Sequence, residues 1–427
     1  MSISQRKENH NSIMTFSLRC HLCQATFPAA ALWVCDQCLG PLEVTFDYAA
    51  IKPAISRDAI ERRPKNLWRY RELLPIEGPP LTGLHSGFTP LVRADRLAAR
   101  LGVRDLYVKD DSVNHPTCSY KDRVVSVAAT RAVELGFSVF ACASTGNLAN
   151  SVASHAARLG LACCVFIPDD LEAAKVTGAS VYRPRLIAVR GNYDDVNRLC
   201  TQVADRYQWG FANINLRAYY AEGAKTYGFE IAEQLGWRLP RHVVSPVAGG
   251  TLLPRILKGF DELRRVGLVD DDLPSIHAAQ AGGCAPVVKA LEAGLEFPEP
   301  VKPNTIAKSI AIGNPADGFQ VLRAIRSSGG SGAMVTEDEV VEGIQLLAET
   351  EGIFTEPAGG VTVAATRRLI ARGAIPRDES IVICITGNGY KTAEVLNGRG
   401  VEPVRIGRSL QEFEASDAAP ALASPSR

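Results

Sequence analysis

A lysine in an unusual place is the first residue that could do chemistry. In HPTCSYKDRVVSVAATRAVELG, apolar residues from Val124 through Val127, Ala128, Ala132 and Leu135 recur at three- and four-residue steps. That spacing predicts an amphipathic helix. Ser119 stands at the N-cap position, and Asp122 three residues later completes an S-x-x-D start signal. Lys121 then falls in the first turn, where the positive end of the helix dipole favours anions over an ammonium. Two readings stand. Asp122 neutralises a surface lysine, or the amine is placed where it is easily kept neutral and hence nucleophilic.

Three further turns carry polar groups at the ends of apolar runs. FACASTGNLANS reads as a strand, then Ser144, Thr145, Gly146 and Asn147, then a helix. This turn can hold a carboxylate, with Asn147 donating to a ring oxygen, or it can be an ordinary capped turn. HVVSPVAGGTLLPRILKGF places Val247, Ala248, Gly249, Gly250 and Thr251 between a strand and a helix. Its two glycines let backbone amides approach a phosphate at a helix amino terminus, and Pro254 suits an early helical position. It matches neither the dinucleotide G-x-G-x-x-G pattern nor the P-loop, so it reads as a cradle for one phosphate. SIVICITGNGYK ends a buried strand at Thr386, whose hydroxyl can meet a ligand. Together these turns and Lys121 are the inventory that holds pyridoxal 5'-phosphate: an amine for a Schiff base, a phosphate cradle, and polar groups around a ring.

The cysteines separate into two kinds. Cys20-x-x-Cys23 and Cys35-x-x-Cys38 form two knuckles, which together offer four thiolates for a closed, tetrahedral, structural zinc. The alternatives are a redox dithiol or a site that has lost its metal. The other seven of the 11 cysteines are scattered through apolar or loop contexts, which suits a reducing compartment.

The elements that must position these groups are strands and helices in alternation. Apolar runs such as Leu106 to Lys109, Val139 to Ala143, Cys163 to Ile167, Val243 to Val247 and Ile381 to Thr386 alternate with helical patterns. This is the signature of α/β layers around mostly parallel sheets. The expected organisation is a disordered tail (1–15), a zinc ribbon (16–48) and a connecting arm (49–87). A two-lobed catalytic body (88–406, smaller lobe roughly 125–215) and a second disordered tail (407–427) follow. The 427 residues carry 47 basic and 46 acidic side chains, a balance that gives no reason to expect nucleic acid or a membrane surface as a partner. The first residues have no apolar core of signal-peptide length, so a cytoplasmic location is expected.

These segments resemble a known family. GFTPLVRADRLAARLGVRDLYVKDD, SYKDR, ASTGNLANS, GNYDDVNRL, AEGAKT, IAIGNPADG, TEPAGG and TGNGYK occur in the order and spacing of threonine synthases that carry an amino-terminal zinc ribbon. Those enzymes belong to fold-type-II, tryptophan synthase β-like pyridoxal-phosphate proteins. The resemblance runs from about Leu18 to Val401. It implies a two-lobed fold, a homodimer, and conversion of O-phospho-L-homoserine and water to L-threonine and phosphate. It implies that Lys121 is the Schiff-base lysine and that Asn147 bonds the cofactor's phenolic oxygen. It also implies that Val247 to Thr251 hold the cofactor phosphate and that Thr386 faces the ring nitrogen. Ser144 and Thr145 match positions around the substrate carboxylate. Asn213, Asn215, Arg217 and Lys225 fall in the region that holds the substrate phosphate. The chain departs from the family in SYKDR, where SFKDR is commoner, in VAGGT, where some relatives have GNAGN, and in Cys118. A related chemistry, cysteate synthesis from O-phosphoserine and sulfite, and a non-catalytic binding paralogue are the rival readings.

Overall fold

The computed structural model describes residues 16–82, 85–144, 146–171, 173–191 and 193–416. The described residues up to 392 form one compact unit and those from 393 onward a second. The expected tail 1–15, the end of the other tail (417–427) and Thr145 lie outside the described residues.

Three sheets build the first unit. The cysteine-bearing segment folds as a three-stranded antiparallel sheet in the order Thr26–Phe27, Phe16–Cys20, Leu42–Phe46. Alternate residues Phe16, Leu18 and Cys20 face inward, as do Leu42, Val44 and Phe46. That two-residue period marks a sheet with one covered face. Lys258 Nζ donates to Val44 O at 2.6 Å and Tyr219 Oη to Ala30 O at 2.7 Å, tying this sheet to the body.

A six-stranded sheet runs Gly332–Val335, Ser275–Ala281, His242–Pro246, Ser380–Ile385, Asp105–Asp110, Leu91–Arg93. Only the Leu91–Arg93 edge is antiparallel. A four-stranded parallel sheet runs Arg185–Val189, Ala162–Pro168, Val139–Ala143, Gly210–Phe211. The central strands are buried along almost their whole length, because helices cover both faces. The fold class expected from the sequence is the one observed. Among the described residues no helix is long and apolar enough to cross a membrane.

The helix Lys121–Glu134 differs from its expected amphipathic form. Residues 122–132 are all buried, since helices Arg217–Gln234 and Asn147–Leu159 pack on it from two sides. Its polar residues survive burial by being paired. Arg123 bonds Asp111 (Nε to Oδ2, 2.6 Å) and Glu230, and Lys109 bonds Glu230 at 2.7 Å, all fully buried. The expected capping box does not form. Tyr120 is the N-cap residue, and its side chain makes no capping bond to the helix backbone. Asp122 instead accepts from Thr117 N at 2.9 Å and from Ser151 Oγ at 2.6 Å, which pins the lysine loop to the neighbouring helix.

In the second unit a short helix, Leu410–Glu414, forms within the segment expected to be disordered. Ser409 Oγ accepts from Glu412 N at 3.2 Å, a local N-cap that needs no core.

Candidate active site

The strands Val139–Ala143, His242–Pro246 and Ser380–Ile385 all end at one cavity, as ligand sites in open α/β sheets do. Lys121 lines it. Its Nζ donates to Tyr120 Oη at 2.8 Å and to Tyr220 Oη at 2.9 Å. Burial alone would lower the pKa of this ammonium, but the two phenol oxygens raise it above the ordinary lysine value. The expectation of an amine kept neutral by its helix position is therefore not met. Charge interaction and hydrogen bonding with the two phenols together outweigh burial.

Asn147 opens the helix Asn147–Leu159 and faces the same cavity. Its Nδ2 donates to both oxygens of Glu356, at 3.0 and 2.9 Å, while its Oδ1 is buried with no hydrogen-bond partner among the described residues. Glu356 sits just ahead of the helix Pro357–Ala371, where the dipole favours a carboxylate. Ser144 Oγ accepts from the amides of Gly146 (3.0 Å) and Ala149 (2.8 Å), so its own O–H remains to donate.

Val247, Ala248, Gly249, Gly250 and Thr251 form one wall and lead into the helix Leu252–Arg265. That helix starts without a side-chain cap, because Thr251 Oγ1 turns away to Asp317 Oδ2 at 3.1 Å. Uncapped amides at a helix start suit a phosphate. Gly250 has φ +94°, and a Cβ there would lie 2.9 Å from Val321 Cγ2 and 3.0 Å from Asp317. Gly249 has no such crowding, the nearest atom being Ile312 Cδ1 at 3.6 Å, so the cavity side of the loop is open. Thr386 lies opposite, with its carbonyl accepting from Tyr120 N at 3.0 Å.

The candidates for the substrate phosphate divide. Arg217 lines the cavity and pairs with Asp317 at 2.7 Å. Asn213 lines it too, but its amide is bonded to Ala143 N and O and to Tyr193 Oη. Asn215 does not line it. Its amide closes a turn through Phe211 N (2.7 Å) and Trp209 O (2.8 Å). Lys225 does not line it either. It is buried between Glu222 and Glu262, 2.7 Å from each, and 4.0 Å from the Phe46 ring.

Residues 83–387 match the family model described as pyridoxal-phosphate dependent enzyme. The threonine synthase of Methanocaldococcus jannaschii is 39% identical, over 91% of this chain and 96% of that one. The chain belongs to the threonine synthase family of pyridoxal-phosphate dependent enzymes. The threonine synthase of Methanosarcina acetivorans is 37% identical, over 92% and 97% of the two chains. The threonine synthase of Halalkalibacterium halodurans is 35% identical, over 81% and 95%. In fold, the chain is similar to maize serine racemase, with a TM-score of 0.62 at 19% identity over 73% of this chain and 91% of that one.

The residues fit the family's cofactor. The uncapped helix start and the uncrowded face of Gly249 are features that a bound phosphate would complete, while Asn147 must turn its Nδ2 from Glu356 to donate to a ring oxygen. Four residues of this threonine synthase-family site were not singled out in the sequence: Tyr193, Tyr220, Asp317 and Glu356. The last two stand inside the motifs IAIGNPADG and TEPAGG, so an acidic residue just before a helix start was the available signal. Tyr193 also stands inside a quoted motif, GNYDDVNRL, but it and Tyr220 read as core, as aromatic residues at helical spacing do.

Away from the cavity, Cys20, Cys23, Cys35 and Cys38 form a cluster that could hold a metal, with Sγ atoms all within 4.8 Å of one another. Four sulfurs around one zinc stand about 3.8 Å apart. Backbone amides of Leu22 and Gln37 point at Cys20 Sγ and Cys35 Sγ, both at 3.4 Å. Gln24 and Leu39, each directly after a knuckle, take positive φ (64° and 57°), the sharp turn that faces the two knuckles together.

Proposed function

We propose that the protein converts O-phospho-L-homoserine and water to L-threonine and phosphate. The observation that carries this is the convergence of Lys121, Asn147, the Gly249–Gly250 loop, Thr386 and Arg217 on one cavity, in a chain this similar to threonine synthases. Pyridoxal phosphate, when bound, supplies an electron sink for protons lost beside a substrate amine.

The protein's own residues do the rest. The backbone amides of residues 248–251 and the helix start behind them bind the cofactor phosphate. Lys121 anchors the cofactor, and once released it takes a proton at Nζ from a substrate carbon and later returns one. Asn147 and Thr386 orient the ring from two edges. Thr386 would offer the ring nitrogen a neutral hydroxyl, with no carboxylate to stabilise a proton there. Ser144, with its free O–H, receives the substrate carboxylate, and Thr145 stands beside it in the sequence. Arg217 stabilises the leaving phosphate, and must exchange Asp317 for it to do so. Asn213 positions the end of strand Val139–Ala143, and Asn215 shapes the turn before Arg217.

The four cysteines hold a structural zinc in this reading. The chain divides into ribbon, arm and two-lobed body at the boundaries given above, and acts as a cytoplasmic homodimer. Sedimentation showing a monomer at assay concentration would remove the last point.

Incubation of the purified protein with O-phospho-L-homoserine tests the function. Phosphate and threonine are expected to appear together. Phosphate without threonine would mean a simple lyase, and turnover only of O-phosphoserine with sulfite would replace the reading with cysteate synthesis.

A further inference from the structure

Two phenols from different elements meet at one amine. Tyr120 precedes the helix Lys121–Glu134, and Tyr220 lies in the first turn of the helix Arg217–Gln234. Their hydroxyl oxygens lie 2.8 and 2.9 Å from Lys121 Nζ. Their ring centres are 4.6 and 5.6 Å from it, so the ammonium meets both phenols chiefly through their oxygens. Both tyrosines line the cavity.

We propose that Tyr120 and Tyr220 form a clamp that positions the Lys121 amine and stabilises its ammonium form once the amine has taken up a third proton. They are positioning residues, acting through Lys121. The proposal rests on Lys121 being the cofactor's lysine.

The chemistry of the clamp follows from the donor count. An ammonium has three N–H donors and no acceptor, and a phenol oxygen can accept while keeping its own proton. Two of the three donors are met by the tyrosines, leaving one to face the substrate. When the neutral amine takes a proton from a substrate carbon, the electron pair of the broken C–H bond stays with the substrate. The proton becomes the third on Nζ, and both phenols hold the product. That proton is kept at the site and can be returned to another substrate carbon.

Other groups around the amine do not replace the clamp. Tyr193 and Cys142, from the helix Tyr193–Tyr207 and the strand Val139–Ala143, interact with Lys121 but are both held neutral by burial. Asp194, also cavity-lining, is pushed up by burial and by Asp195. Arg217 is engaged by Asp317, and the carboxylate of Glu356 is engaged by Asn147. The direction of the Lys121 pKa, raised despite burial, agrees with the clamp.

The test uses the pH dependence of cofactor uptake by the apoprotein. Only the neutral amine attacks the cofactor's aldehyde, so the uptake rate against pH reports the free amine. Wild-type uptake is expected to keep rising with pH into the alkaline range. Tyr120→Phe and Tyr220→Phe are each expected to move the profile down by about one to two pH units, as removal of one acceptor from a charged donor does. Uptake at neutral pH then rises about 10- to 100-fold. In the loaded enzyme kcat falls while KM for O-phospho-L-homoserine holds. Profiles unmoved in both variants overturn the clamp. If Tyr220→Phe does not fold, Tyr120→Phe decides by itself, because it removes one of the two acceptors. Borohydride fixation of the cofactor separates the two levels: fixation that survives in Lys121→Ala sinks the lysine assignment. Fixation lost in Lys121→Ala, with unmoved tyrosine profiles, sinks the clamp alone.

Discussion

Glu230→Gln should unfold this protein more readily than almost any single surface change, because of what it leaves behind. Glu230 is fully buried and accepts from Lys109 Nζ (2.7 Å), Arg123 NH2 (2.8 Å) and NH1, Phe88 N (2.6 Å) and Thr89 N (3.2 Å). With Asp111 it balances two buried cations, Lys109 and Arg123. Glutamine keeps the shape and removes the charge, so one cation remains buried and uncompensated. Breaking a buried pair this way costs about 3–5 kcal/mol. The assay is urea unfolding of the apoprotein, read by its midpoint. The control is Lys109→Met with Glu230→Gln, which restores neutrality and should recover a substantial part of the loss. A single-variant cost below about 1 kcal/mol, or a double variant as bad as the two singles added, would refute the reasoning. Burial tends to raise the Glu230 pKa, but Arg123 and Lys109 pull it from 4.5 to about 2. A carboxyl held down in the fold contributes stability that is full above its unfolded pKa. That contribution is lost as pH falls through the folded one. The wild type should therefore lose stability between about pH 4.5 and 2, and the variant should be flatter in that window.

Gly250→Ala should weaken cofactor binding by at least about tenfold, because φ +94° strains any Cβ and the methyl presses on Asp317; titration of the apoprotein with pyridoxal phosphate measures it, and wild-type affinity would contradict the cradle. Cys20→Ser should lose bound zinc in elemental analysis, and full retention would contradict a four-cysteine site. His277 accepts from Ser331 N at Nδ1 (3.1 Å), so its Nε2–H donates to His242 Nδ1 (3.0 Å), and His242 in turn donates to Glu379. Burial first, and His242 second, push His277 down from 6.5 to about 3. A folded pKa below the unfolded one means stability present at neutral pH and lost as pH drops below about 6.5, by up to about 1.4 kcal/mol per pH unit. Urea midpoints at successive pH values should fall less steeply in His277→Gln, and an unchanged slope would exclude His277 as the cause.

The chemistry-bearing groups were legible where a local rule names them. Two C-x-x-C pairs, a double glycine between an apolar run and a helix, and polar residues at strand tips are short-range signals. They depend on backbone geometry that a few neighbours decide. So Lys121, Asn147, residues 247–251 and Thr386 could be found without a fold, and the alternating apolar runs announced covered parallel sheets. Lys225 shows where this stops. It sits about 140° around the helix from Tyr220, and the sequence does not say which side of a helix buried on all faces meets the cavity. The structure turns Arg217 and Tyr220 inward and gives Lys225 to Glu222 and Glu262.

The protonation of Lys121 went the same way. A helix dipole is a local property and argued for a neutral amine. Tyr120, next to it in the chain, and Tyr220, ninety-nine positions away, together favour the charged form from 2.8 and 2.9 Å. Glu356 reaches Asn147 across 209 positions. By itself the sequence determined the candidate residues and the elements that present them. Only the tertiary structure decided which of them share a cavity and which partners each one meets. Hydrogen bonds and burial act over a few ångströms of space, whatever the separation along the chain.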